Sequence, residues 1–393
     1  MKRVLFAIAV IAISTNLAVP FFPLYQELFH ANSFTSTGLF VTYVVFLLPT
    51  LLISGSIGDY FGYKWVVVVA LLLTIVSAGL FIFTPNLWVL YVARAIVGIS
   101  VGLFMGTGNA LLLQVSSRAR MKLVLKLSGM MTLIGFGLGP AISSIILQYS
   151  KWNPEQLSFL LLSVAAIIAI LMLFTLVYVK DSHTKQIQFR IQLGIPQEDK
   201  QLFWKAVGPS VFLLFSIGGM LIATLPTFVK DVMHLSNHAW SGLLLLIFLG
   251  GGAFAQFIPF SIDHIRRIQI GLILLFIGFW CMLTAGAQET MGLLWFSILL
   301  LSIGNGWVFQ SCMGLSGDMG KASDNARVIS TFYVMAYLGM SIPTLAVGLL
   351  TLILGLIPAL IILCACVTVL GLWIIWSSGH LLKGASLSME KDS

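Results

Sequence analysis

Apolar runs about twenty residues long, the length a helix needs to cross a bilayer core of roughly 30 Å, recur along the whole chain. They fall at about 4–28, 37–56, 64–84, 87–114, 122–148 and 156–179, then at about 206–229, 239–260, 268–286, 291–314, 327–352 and 354–378. Backbone in lipid must satisfy its own hydrogen bonds, so such runs joined by short loops predict twelve spanning α-helices. Of the 393 residues, 59% are hydrophobic and 9% charged, where a soluble domain carries about a quarter charged. The fold class is an all-α membrane protein. The longest interruption, Lys180–Lys205, is polar and charged. It divides the chain into a six-helix bundle over 1–180, a cytoplasmic central loop over 181–205 and a second six-helix bundle over 206–393.

The first run is too long for a signal-peptide core and lacks a small-x-small cleavage site, so it is read as a retained span. The net charge of +8 does not mark a nucleic-acid binder, because no Lys/Arg-rich run is interleaved with aromatics. The basic residues sit at span ends instead. With the N-terminus inside, the inner segments collect Lys2, Arg3, Lys64, Arg118, Arg120, Lys122, Lys126, Lys180, Lys185, Arg190, Lys200 and Lys205. The C-terminal half adds Arg266, Arg267, Lys321, Arg327, Lys383 and Lys391, while Lys151 and Lys230 alone fall outside. Both termini are expected in the cytoplasm of a multi-pass protein of the cell membrane. Cys281, Cys312, Cys364 and Cys366 all lie within apolar runs and read as buried thiols. No disulfide framework or zinc spacing is present, and no metal or cofactor is expected.

An offset of 203 or 204 residues pairs Pro23 with Pro226, His30 with His234, Gly38 with Gly242, Asp59 with Asp263, Gly102 with Gly306 and Pro140 with Pro343. Proline, glycine and aspartate at near-constant offset signal two equivalent halves. Parallel six-span repeats related by an axis along the membrane normal are one transporter architecture, with the site between the halves near the midplane.

Between the second and third spans stands Gly55-Ser-Ile-Gly58-Asp59-Tyr-Phe-Gly62-Tyr-Lys64. Its glycines allow close packing and positive φ, as a tight reversal requires, and Asp59 and Lys64 place charge at the surface. The second half keeps Asp263, Arg266 and Arg267 but not the glycines. In the fourth span, Arg94 lies about two turns inside, costing several kcal/mol unless it is paired or faces water. No acid occupies the middle of any span, so backbone carbonyls, a watered cavity or snorkelling to the surface are its options. The fifth span carries Gly135-Phe-Gly137-Leu-Gly139-Pro140, where proline frees a carbonyl and the glycines admit a neighbouring helix. The first ends in Pro20-Phe21-Phe22-Pro23-Leu24-Tyr25.

G-x-x-x-D-x-x-G-x-[K/R] after the second span resembles the loop signature of the major facilitator superfamily of transporters. Arg94-x-x-x-Gly98 resembles its fourth-helix motif, with Val97 where glutamine is usual. Gly135-x-x-x-Gly139-Pro140 and Pro20-x-x-Pro23-x-Tyr25 resemble the twelve-span drug–proton antiporter branch, although Ser143-Ser144 replace a trailing glycine pair. The resemblance implies two pseudo-twofold bundles and alternating access. It sets Asp59 near the cytoplasmic start of the eleventh span, around Ala326–Ile329, as a conformational switch together with Gly55, Gly58, Gly62, Lys64, Asp263 and Arg267. Transport and coupling would involve Arg94, Gly98, Gly135, Gly139, Pro140 and Glu27. The family places the first, fourth, seventh and tenth spans centrally, which makes Asn16, Phe21, Phe104, Asn109, Asn305, Trp307, Phe309 and Gln310 the candidate substrate cavity. An aromatic cavity with few hydrogen-bonding groups suits lipophilic or cationic compounds.

The expected function is secondary active transport by a monomer, with efflux driven by protons as the coupling ion. The alternatives are a narrow metabolite carrier not coupled to protons and, remotely, an intramembrane serine protease. The last rests on Gly314-Leu-Ser316-Gly317, with His380 as the only later histidine. A sensor or scaffold on the same fold would have no use for a polar central seam.

Overall fold

The computed structural model describes residues 1–117, 121–176, 193–256, 262–321 and 325–391. Arg118, Arg120, Lys180, Lys185, Arg190 and the Phe260–Ser261 start of the second loop signature lie outside them, as do the side chains of Lys122, Ala326, His380, Lys383 and Lys391. The helices are α1 (Lys2–Asn16), α2 (Phe22–Leu28), α3 (Ser33–Phe61), α4 (Tyr63–Ile82), α5 (Leu87–Gln114), α6 (Met121–Tyr149) and α7 (Pro154–Phe174). There follow α8 (Lys200–Leu202), α9 (Gly208–Thr227), α10 (Ala239–Ala255), α11 (His264–Gln288), α12 (Met291–Asp318), α13 (Asn325–Leu354) and α14 (Leu356–Lys391). Among the described residues there is no strand. Eleven stretches among them are long and apolar enough to cross a membrane, and α10 is a further, shorter apolar helix. The protein is a multi-pass, all-helical membrane protein.

Local sequence sets the breaks. The first span, Lys2–Leu28, is interrupted by a 3₁₀ turn at Val19–Phe21, where Pro20 lacks the amide proton that would continue the helical ladder. Asn32, Asn86 and Asn153 start α3, α5 and α7 by accepting backbone N–H groups with their side chains, and Asp263 does the same for α11. His30 and His234, paired by the sequence repeat, both adopt a left-handed backbone, with φ of 49° and 50°.

The chain forms two compact units, one of Met1–Ile191 with Ile222–Ala253 and the other of Gln192–Leu221 with Phe254–Ser393. In the first, α5 lies against α3 along Gly98, Gly102 and Gly106. A Cβ on Gly98 would strike the Tyr43 carbonyl, and one on Gly102 would come within 2.7 Å of the Leu47 carbonyl. The second unit uses the same device where α11 meets α12. There a Cβ on Gly304 would lie 2.7 Å from the Gly271 carbonyl oxygen. Small residues let helix backbones approach closely where lipid supplies no hydrophobic drive.

Three details differ from expectation. The reversal at 55–64 is no loop. Helix α3 runs through Phe61, and Gly62 alone, with φ 92°, separates it from α4. Gly58 is helical and gives up its side chain to Tyr63, whose ring would lie 2.5 Å from a Cβ there, while Gly55 has nothing within 4 Å. Secondly, the last residues of the stretch 181–205 are already helical, and α14 continues past the apolar run to Lys391. Thirdly, Cys312 and Cys364 are buried, but Cys281 is half-buried and Cys366 exposed. A spanning helix has an outer face as apolar as its inner one, so lying within a span does not imply burial.

Gly98→Val should lower the melting temperature of the purified protein, with an overpacking cost of about 1–3 kcal/mol. Gly55→Ala, which meets nothing and improves helix propensity, should melt no lower than the wild type.

Candidate functional site

Arg94 is fully buried, although it carries a charge. Its Nε donates to the Leu39 carbonyl at 3.0 Å and its Nη1 to the Thr15 carbonyl at 2.9 Å. Thr15 is in the last turn of α1, where carbonyls lack helical donors, so the break before Pro20 supplies one acceptor for the guanidinium. Tyr43 and Phe22 present ring faces to it, at 4.6 and 5.9 Å, a cation–π arrangement. Nη2 has no hydrogen-bond partner among the described residues.

Beside it, Pro140 cannot donate to the carbonyl four residues back, that of Phe136. Asn16 Nδ2 donates to that carbonyl at 3.2 Å. Gly135 and Gly139 make room for α1, because a Cβ on Gly139 would strike the Ile13 carbonyl. Arg94, Gly98, Asn16, Gly135, Gly139 and Pro140 therefore form one connected joint of α1, α3, α5 and α6. Asn16 Oδ1 is unpaired and buried.

Further along, Tyr25 is buried and donates to Glu155 Oε1 of α7 at 2.5 Å. Phe21 is fully buried between Tyr25 and Phe159, and Phe159 stacks on Phe81 with ring centroids 4.3 Å apart. At the same end of the first unit Glu27 pairs with Lys230. There the His238 amide donates to Gln148 Oε1 at 2.8 Å, Asn237 Nδ2 donates to the Tyr149 hydroxyl at 3.2 Å, and Gly242 packs on Pro140 and Ser144. At the other end, Asp59 is exposed and accepts from the Tyr63 hydroxyl. Lys64, buried, donates to the Leu176 carbonyl at 2.9 Å. Phe104 is buried and its ring lies over Gly108, whereas Asn109 is exposed and accepts from Ser128.

In the second unit, Phe309 belongs to a chain of rings. Phe215 of α9 contacts Phe309 and Tyr337, Phe309 contacts Phe332, and Tyr333 stacks on Tyr337 with centroids 6.1 Å apart. Phe215, Phe309 and Tyr333 are only half-buried. Neighbouring Gln310 keeps a buried, unpaired Oε1, and Asn305 is half-buried one turn away. Arg267 lies over the Trp307 ring at 5.8 Å. Among the described residues no group of three His, Cys, Asp or Glu could hold a metal ion.

Sequence reasoning did not single out Glu155, Tyr43, Lys230, His238, Phe215, Phe332, Tyr333 or Tyr337 as site residues. Asn153-Pro154-Glu155 reads as an ordinary helix start, and an aromatic ring in a span gives no sign of which way it faces.

The sequence profile of the Major Facilitator Superfamily matches residues 4–344. The chain belongs to the Major Facilitator Superfamily. No curated protein matches it significantly. Among solved structures it is similar to a bacterial homologue of the human lysosomal transporter Spinster. In the inward-facing, unoccupied conformation that protein aligns with TM-score 0.80 at 11% identity over 97% of each chain. In its inward-facing, occupied conformation the TM-score is 0.73 at 12% identity, again over 97% of each chain. The human organic anion transporter MFSD10 (TETRAN) aligns with TM-score 0.65 at 15% identity, over 95% of this chain and 98% of its own. As a member of this superfamily the protein is a transporter, not an enzyme. Ser316, the candidate nucleophile of the protease alternative, is fully buried and donates to the Cys312 carbonyl at 2.8 Å.

His238 supplies a pH test of the Glu27 end. Burial first, then Lys230, pushes its pKa below the ordinary value, with Glu27 opposing them. The neutral imidazole is therefore the form this packing favours. Its contribution is complete above the unfolded value of about 6.5 and is lost as pH falls through the lowered folded value. The melting temperature should drop between about pH 7.5 and about pH 5, roughly one unit above and one and a half below the ordinary histidine value, and His238→Gln should shrink that drop.

Proposed function

We propose that this transporter exports a small lipophilic or cationic compound across the cell membrane by alternating access, using the proton gradient. Its termini would be cytoplasmic, and its working unit a monomer of two six-helix bundles over 1–180 and 206–393. The observation that carries the substrate class is the run of half-buried rings Phe215, Phe309 and Tyr333 beside the unpaired Gln310 carbonyl oxygen. Ring faces attract a desolvated cation by about 0.5–2 kcal/mol each, and one amide oxygen suits a compound with few polar groups. The repeat mate of Arg94 is Ile298, so a fixed buried cation on the first half has no counterpart at that position.

Asp59 supports the alternating step. It stands exposed at the end of α3, where it accepts from the Tyr63 hydroxyl, and could engage the start of α13 in another state. A carboxylate gains about 0.3–1 kcal/mol at a helix N-terminus, enough to bias two states of similar energy. Glu27, bound to Lys230, would gate the opposite mouth.

A second reading, carriage of an organic anion without proton coupling, draws on the unpaired Nη2 of Arg94 and on the organic anion transporter among the structural neighbours. A guanidinium with a spare donor is suited to a carboxylate.

Accumulation of a panel of fluorescent lipophilic cations, with and without a protonophore, separates the readings. Cells expressing the wild type should accumulate less dye than cells expressing Asp59→Asn, and the protonophore should abolish the difference. Equal accumulation across the panel overturns the efflux reading and directs the search to uptake of labelled organic anions in proteoliposomes.

A further inference from the structure

The pair formed by Tyr25 and Glu155 is not accounted for by packing alone. Tyr25 is 1% exposed, and its hydroxyl is committed to Glu155 Oε1 at 2.5 Å. Glu155 is half-buried in the first turn of α7. Among the described residues no basic side chain forms an ion pair with it; the ion pair at this end joins Glu27 and Lys230. Phe21 contacts the Tyr25 ring and continues into a chain of buried rings through Phe159 and Phe81. Arg94, with its unpaired and fully buried Nη2, lies within electrostatic range of the phenol.

The neighbouring elements offer Glu155 little else. From α5 come Tyr91, which donates to the Thr35 carbonyl, and Arg94. The charged residues described on α4 and α6, Lys64 and Lys126, lie near the opposite ends of their helices. Lys151, in the preceding turn, is exposed. A half-buried carboxylate with no ion-pair partner among the described residues holds its charge through the hydrogen bond from the phenol and the dipole of its own helix start. Such a group changes protonation state readily.

We infer that Glu155 is a proton-binding site of this transporter, with Tyr25 as its positioning residue. The inference deepens the proton-coupled reading above and rests on it for its role in transport. The carboxylate takes one proton from water to become the neutral acid and returns it to water on release, while Tyr25 keeps its own phenolic proton throughout. The hydrogen bond from Tyr25 to the charged form is roughly twice as strong as that to a neutral partner. Protonation therefore loosens the hold of α7 on α2. Two residues beyond Tyr25 on α2, Glu27 makes the pair with Lys230, so the state of Glu155 reaches the proposed outer gate through seven residues of helix.

The test needs no substrate. Full-length protein in liposomes is titrated while the infrared carboxylic C=O band is recorded, and hydrogen exchange is followed over residues 22–28. In the wild type, the band should show one carboxyl that gains and loses its proton over the titration. Glu155→Gln should remove that band, Tyr25→Phe should displace its midpoint, and Glu27→Gln should leave it in place. Exchange at 22–28 should be faster in Glu155→Gln than in the wild type at alkaline pH and equal to it at acid pH. A titrating band that persists in Glu155→Gln overturns the assignment, as does an unchanged midpoint in Tyr25→Phe. Correct insertion is checked by the elution profile of each variant. A band lost in Glu155→Gln beside dye export indifferent to the protonophore would leave the proton site standing and sink the proton-driven efflux reading. Proton-driven export with the band retained in Glu155→Gln would do the reverse.

Discussion

A fully buried guanidinium organises the first unit. Arg94 cannot shed its charge to escape burial, since an arginine stays protonated in any protein environment, so the surrounding helices must supply acceptors. Two come from backbone: the Thr15 carbonyl, at the frayed end of α1, and the Leu39 carbonyl of α3. A straight, unbroken first span would have its Thr15 carbonyl already engaged by the helix. The interruption at Val19–Phe21 is therefore part of how the charge is held, and the prolines at 20 and 23 are what make that interruption cheap.

The same exchange of backbone groups recurs one helix away. Pro140 releases the Phe136 carbonyl, and Asn16, the last residue of α1, donates to it. Gly135 and Gly139, ahead of that proline, bring α1 close enough for the bond to form. Proline, glycine and a short polar side chain thus act as one unit, and none has a purpose here without the others. In lipid, where no water can cover a released carbonyl, the donor has to come from a neighbouring helix.

This explains what could be seen in the sequence and what could not. The spans, their order, the repeat and the special character of Arg94 and Pro140 follow from hydropathy and from residues that are expensive in a bilayer. The equal left-handed backbones of His30 and His234 show how local the repeat is. Direction around a helix is another matter. Periodicity identifies an inner face only when the outer face is polar, and here both are apolar, so neither the exposed Cys366 nor the ring cluster around Phe215 could be assigned. Gly55, Gly58 and Gly62 look alike in sequence, yet one meets nothing, one is covered by a ring and one supplies the positive φ.

Glu155 was hidden for a related reason. An acid two residues after a capping asparagine is favoured by the helix dipole, and that is sufficient cause for its presence. Only the position of Tyr25, set by the turn at Pro20 some 130 residues earlier in the chain, turns a helix-start acid into a carboxylate with one strong donor and, among the described residues, no ion-pair partner. Arg94, a permanent charge in a fully buried site, and Glu155, a half-buried acid, are both neighbours of a single phenol, that of Tyr25. The first fixes where α1, α3 and α5 meet; the second is free to respond to protons. A permanent charge holds the joint, and the proposed proton site stands at its rim.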